Sequence, residues 1–140
     1  MRHIRSLLSK LPTGLLSGIT LAIILWLTLA PHPTGDLDIP LFEGADKVVH
    51  LIMFGFLTFV VLLETAKYRK WISLPLPLIG IIAIICACIG IGIEFAQTAM
   101  GLGREFEILD ILADSAGAIG VGAIWAMVQN TFTEPDNDDN

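Results

Sequence analysis

The feature that most constrains this chain is the spacing of its charges. No Asp, Glu, Lys or Arg occurs from Leu11 to Gly35, from Trp71 to Ile93 or from Ser115 to Thr133, and from Val48 to Leu63 the only ionisable group is His50. A membrane-spanning helix needs roughly 17–25 mostly apolar residues. The first and third runs meet that length outright. The second and fourth meet it only by taking in Asp46-Lys47 and the stretch from Asp110 to Asp114 at one end. Polar side chains are thereby placed at helix ends, partly submerged. The expected fold is all-α: an integral membrane four-helix bundle over residues 11–130, preceded by a cytoplasmic N-terminus (1–10) and followed by a disordered acidic tail (131–140).

Composition agrees. Of 140 residues, 54% are hydrophobic and 16% charged, against about 45–50% and about 25% for a soluble domain. A water-soluble enzyme, a disordered protein and a disulfide scaffold are excluded. The net charge of -6 is mostly tail, since Glu134, Asp136, Asp138 and Asp139 leave -2 for everything else. It names no partner. The eight Lys and Arg are few and scattered, which gives a nucleic-acid role no support. Cys86 and Cys88 lack a second Cys or His pair and read as small buried packing residues.

Pro12 and Gly14 open the first run and Pro31 and Pro33 close it, while Pro75 and Pro77 fall in the first turns of the third, with a kink expected at Pro77. Arg2, Arg5 and Lys10 ahead of an apolar run resemble a signal peptide. Thr28 and Pro31 around Ala30 make a poor cleavage site, so a retained first helix is expected. Arg2, Arg5, Lys10, Lys67, Arg69 and Lys70 lie on one side of the expected topology, and only Lys47 and Arg104 on the other. Six against two places both termini in the cytoplasm, with Tyr68 and Trp71 at the inner interface and Trp26 near the outer one.

That topology gathers the polar helix ends on the outer side. Asp46, Lys47 and His50 begin the second helix; Glu94, Gln97 and Thr98 finish the third; Arg104, Glu105 and Glu107 lie between; Asp110 and Asp114 begin the fourth. Asp46/His50 and Asp110/Asp114 are i,i+4 pairs and Glu94/Gln97 is i,i+3, so each pair shares a helix face. Two layers are expected: Asp46, Gln97 and Asp110 above, and His50, Glu94 and Asp114 about 6 Å deeper, with Arg104 as a cap. Below them run small residues, Ala83, Ala87 and Gly90 on the third helix and Ala113, Gly117 and Gly120 on the fourth. Such stripes let membrane helices approach closely, so Ala87, Gly90 and Gly117 are expected between those two helices.

Plainer readings exist for single members: a solvated helix start for Asp46-Lys47, an N-cap for Asp110, a packing histidine for His50. Glu94 and Asp114 resist them, because carboxylates inside membrane helices are costly and generally functional. No nucleotide-binding glycine loop, H-E-x-x-H or G-x-S-x-G occurs, so no catalytic residue is assigned. Asp46, Glu94, Asp110 and Asp114 carry -4, and Lys47 with Arg104 return +2. Three remedies balance the excess: a proton shared by the deeper carboxylates, a charged His50, or a bound cation. A single imidazole argues against a dedicated zinc site, and no metal or other cofactor is assigned.

Asp46-Lys47-x-x-His50, Glu94-x-x-Gln97, Gly103-Arg104 and Asp110-x-x-Ala113-x-x-x-Gly117, in this order, resemble the VanZ-like membrane proteins over residues 46–122. After Ala113 such proteins often carry Asn; this chain carries Asp114, which adds a negative charge. The resemblance implies a bacterial cytoplasmic membrane and a cell-envelope role, the family being named for a protein linked to teicoplanin resistance. Lipid-linked wall precursors or glycopeptides are the partners it implies besides the bilayer. An accessory or binding module is the first expectation. A membrane hydrolase or transferase using His50 and the carboxylates is the second, and an ion-coupled carrier, whose inner polar path would rest on Glu64 alone, is the third.

Overall fold

A computed structural model describes residues 2–30, 44–101 and 106–133. Its elements are helices: α1 (Arg2–Leu8), α2 (Leu15–Leu29), α3 (Ala45–Tyr68), α4 (Leu76–Met100) and α5 (Ile108–Val128), closed by a 3₁₀ turn (Gln129–Thr131). Three of them, α3, α4 and α5 with its 3₁₀ turn, are long and apolar enough to cross a membrane. The fourth is shorter than its sequence promised. Only 15 residues of the run from Leu11 to Gly35 are helical in α2, about 22 Å of helix at 1.5 Å per residue. Gly14 starts it in a left-handed conformation at φ 88°, and residues 31–43 lie outside the described ones.

The helices form a four-helix bundle. α5 packs against α3 and α4, and α2 lies against the same two. Buried Phe54, Leu57 and Leu62 of α3 meet Ile79, Ile82 and Cys86 of α4 and Ala118 and Trp125 of α5. Ile19, Ile23, Phe56, Ile84, Ile119 and Ile124 point outward instead. An apolar exterior around a core with buried carboxylates suits a lipid environment and is unfavourable in water.

Pro77 lies at the start of α4, which runs as one helix from Leu76 to Met100. It sits in the first turn, where its missing N–H would have no intrahelical partner anyway. α3 ends in a Schellman arrangement: Trp71 N–H donates to Ala66 O (2.7 Å) and Lys70 N–H to Lys67 O (3.0 Å). Lys70 takes the left-handed position that glycine usually fills, at φ 56°. The turn into α4 is pinned by Gln129, whose amide accepts from Leu74 N–H (2.8 Å) and donates to Leu74 O (3.0 Å). Phe132 stacks edge-on against Trp125 (4.8 Å), and Thr133 is buried. The stretch expected to open the tail therefore packs as far as Thr133, and residues 134–140 lie outside the described ones. Arg5 donates to Phe132 O and lies over the Trp71 ring, so the N-terminal segment meets the end of α5 at one end of the bundle.

Glu64, at that same end, has a structural place. Its carboxylate accepts from Leu16 N–H (3.2 Å), Ser17 N–H (3.1 Å) and Ser17 Oγ–H (2.6 Å). It satisfies the open N-terminus of α2 from a neighbouring helix, with the dipole of α2 favouring its charge. Cys88 corrects the sequence reading by half: Cys86 is buried, but Cys88 is exposed.

Candidate functional site

The opposite end of the bundle carries the polar cluster, and two glycines explain how it is assembled. A Cβ on Gly117 would lie against Leu51 O and 3.0 Å from Gly55 N. Its hydrogen therefore lets α5 press directly on the α3 backbone, one turn below His50. This corrects the expected packing, because Gly117 belongs to the α3–α5 contact and not to α4–α5. Gly120 is exposed and has nothing within 4 Å of a Cβ position, so it is no part of either seam. On the α4 side the close approach is Gly122, whose Cβ would meet that of Ala83 at 3.3 Å.

Gly90 is at α4–α5 as expected, but its neighbour is a site residue. A Cβ there would come within 2.5 Å of Asp114 Oδ2 and 2.8 Å of Asp114 Cβ. The missing side chain is what seats the Asp114 carboxylate between two membrane helices. Close α3–α5 packing then sets His50 Nδ1 3.0 Å from Asp114 Oδ1, and Asp114 is fully buried (0% exposed). The other imidazole nitrogen, Nε2, lies 4.0 Å from Asp110 Oδ2.

Glu94, 1% exposed, enters from α4. One of its oxygens, Oε2, accepts from the Glu107 N–H at 3.4 Å. An imidazole nitrogen of His50 and single carboxylate oxygens of Glu94 and Asp110 all lie within 4.8 Å of one another. Among the described residues, three buried carboxylate oxygens have no hydrogen-bond partner: Glu94 Oε1, Asp110 Oδ1 and Asp114 Oδ2. Asp110 Oδ1 has only an ion-pair neighbour, Lys47 Nζ at 3.3 Å, without hydrogen-bond geometry. Lys47 also pairs with Asp46 and Glu107. Those two carboxylates are about half exposed, so these contacts form a screened rim around the buried group.

The structure thus brings together Asp46, Lys47, His50, Glu94, Asp110 and Asp114. Gln97 is buried but directed elsewhere: its amide donates to Thr28 O (2.8 Å) and ties α4 to α2. Arg104 lies outside the described residues. Glu107, the residue that precedes α5, also joins the cluster. Its carboxylate reaches Lys47 and its N–H reaches Glu94, and no spacing rule relates position 107 to position 47.

A family model, VanZ/LLP1, matches residues 16–129. That stretch covers most of the chain and every residue of the cluster. The chain belongs to the VanZ/LLP1 family. No curated protein and no solved structure matches it. What this VanZ/LLP1 site can do therefore follows from its chemistry: buried carboxylates from α4 and α5, a buried α3 imidazole oriented by one of them, and a cationic rim residue.

Proposed function

We propose that this VanZ/LLP1-family protein is a multi-pass protein of the bacterial cytoplasmic membrane, with both termini inside, that serves as an accessory binding module of the cell envelope. The cluster is its outward-facing site. The carrying observation is that the buried His50 of α3, Glu94 of α4, and Asp110 and Asp114 of α5 gather at one end of the bundle, away from the contact between Arg5 and Phe132. The Lys and Arg distribution favours the termini end as the inner one. Five carboxylates (Asp46, Glu94, Glu107, Asp110, Asp114) face one lysine and one imidazole among the described residues. Such a site takes ammonium and amide donors, which glycopeptides and the peptide portion of lipid-linked wall precursors both carry.

The test is teicoplanin susceptibility of a deletion strain, complemented with the wild-type chain or with Asp46→Asn, Glu107→Gln or Glu94→Gln. Binding predicts a phenotype in the deletion strain and graded losses across these positions. No phenotype in a susceptible host would remove the glycopeptide link.

A second reading is a membrane hydrolase or transferase on a lipid-linked envelope substrate. One observation favours it: the Asp114 carboxylate on His50 Nδ1 leaves Nε2 to take or give a proton. Under that reading a single conservative change, His50→Gln or Glu94→Gln, abolishes function while expression is unchanged.

A further inference from the structure

We propose that His50, Glu94 and Asp110 form a binding site for a divalent transition-metal ion, with Asp114 positioning the imidazole. The inference rests on the geometry of the cluster and not on which envelope molecule the protein engages.

Four observations point to a cation. The separation of His50 Nε2 from Asp110 Oδ2, 4.0 Å, is too long for a hydrogen bond. Two ligand atoms held by one ion through bonds of about 2.1 Å stand about 3.0–3.4 Å apart at octahedral or tetrahedral angles, so a closure of roughly 0.6–1.0 Å seats an ion between them. The third ligand comes from Glu94: one ligand atom from each of the three residues lies within 4.8 Å of the other two, so shifts of at most about 0.7 Å per atom bring the set to bonds of about 2.1 Å around one ion. Glu94 is buried, and its Oε1 has no partner. An unpaired carboxylate oxygen in a low-dielectric interior is strongly unfavourable unless a positive charge meets it. Lys47 supplies little of that charge: it reaches Asp110 at 3.3 Å, while its other contacts are the exposed carboxylates of the rim.

The fourth observation is the second shell. A metal-bound histidine typically gives its other ring N–H to a carboxylate, which fixes its tautomer and aims the free nitrogen at the ion. Asp114 Oδ1 at 3.0 Å from Nδ1 stands in that relation to His50. One nitrogen and two carboxylate oxygens select against a soft thiolate-preferring ion, and also against Mg²⁺, which favours oxygen and water. They suit Mn²⁺, with water completing the shell. Exposed Asp46 and Glu107 also lie within ligand distance of Asp110, but that trio has no nitrogen donor and Lys47 occupies it.

The test uses the full-length protein in lipid nanodiscs, stripped with EDTA and titrated with Mn²⁺ alone, free ion being read by electron paramagnetic resonance. One saturable Mn²⁺ per chain is expected, with the spin-echo modulation of a coordinated imidazole nitrogen in the wild-type protein. His50→Gln should abolish that modulation. Glu94→Gln should weaken binding at least about tenfold, and Asp114→Asn by roughly 10–100-fold. Asp46→Asn should leave binding unchanged. Affinity should rise from pH 6 to 8, because the metal displaces protons from its ligands. Absence of saturable binding, or binding without nitrogen modulation in the wild-type chain, overturns the proposal. So does binding lost with Asp46→Asn or Glu107→Gln but kept in Glu94→Gln. The wild-type spectrum decides even if a variant fails to fold. Because no envelope ligand is present, the outcome is independent of the binding-module reading.

Discussion

Gly90→Ala is the smallest change that should dismantle the site without touching a polar atom. The added methyl would sit 2.5 Å from Asp114 Oδ2, 2.8 Å from its Cβ and 2.9 Å from its Cγ. To restore ordinary contact at 3.4 Å, the Asp114 side chain must withdraw by about 0.6–0.9 Å. Its Cβ is fixed to α5, so a change of rotamer is not enough and the helices must part. Overpacking of this kind costs about 1–3 kcal/mol. Losing the bond from Asp114 to His50 adds about 1.5–3 kcal/mol if the pair is charged. A total of roughly 2.5–6 kcal/mol is expected. Gly120→Ala is the control: a Cβ there meets nothing within 4 Å, and replacing a helical glycine by alanine should be neutral or stabilising by up to about 1 kcal/mol. Reversible unfolding in mixed micelles, read by tryptophan fluorescence, measures both variants. If Gly90→Ala and Gly120→Ala match the wild type within about 0.5 kcal/mol, the placement of Asp114 against α4 is refuted.

Other perturbations follow from single contacts. Gly117→Ala should destabilise more than Gly90→Ala, because its methyl meets the α3 backbone at Leu51 and Gly55, which cannot rotate away; equal unfolding free energies for Gly117→Ala and wild type would contradict the close α3–α5 crossing. Gln129→Ala leaves the buried Leu74 N–H and C=O unpaired, about 1–3 kcal/mol per group at most, and faster amide exchange at Leu74 should accompany the loss. Glu64→Ala removes the carboxylate that closes the start of α2, so amide exchange at Leu16 and Ser17 should accelerate while the cluster at the other end is unaffected. Protection unchanged at those two amides would remove Glu64 from its capping role.

Much of the fold was legible because lipid imposes a simple rule: long uncharged runs become helices. The rule is blind to where a run stops being helical, which is why α2 fills only part of the stretch from Leu11 to Gly35. Helical spacing correctly grouped Asp46 with His50 and Asp110 with Asp114, since i,i+4 geometry is local. It said nothing of which helix each face meets. Gly117 and Gly90 read alike as small residues, yet one admits a backbone and the other a carboxylate. Gln97 bonds the carbonyl of Thr28, and a backbone acceptor leaves no mark in a sequence. Glu107 reaches the site through chain reversal between α4 and α5, which no periodicity encodes.

The proposed function places the cluster at the outer face of the membrane. In a chain carrying Cys86→Ser and Cys88→Ser, single cysteines at Phe106, beside the cluster, and at Thr131, at the other end, should be probed in intact cells with a membrane-impermeant maleimide. Both positions are exposed. Labelling at Phe106→Cys with Thr131→Cys protected until the cells are opened is the predicted result. Labelling of Thr131→Cys in intact cells, with Phe106→Cys protected, would contradict it.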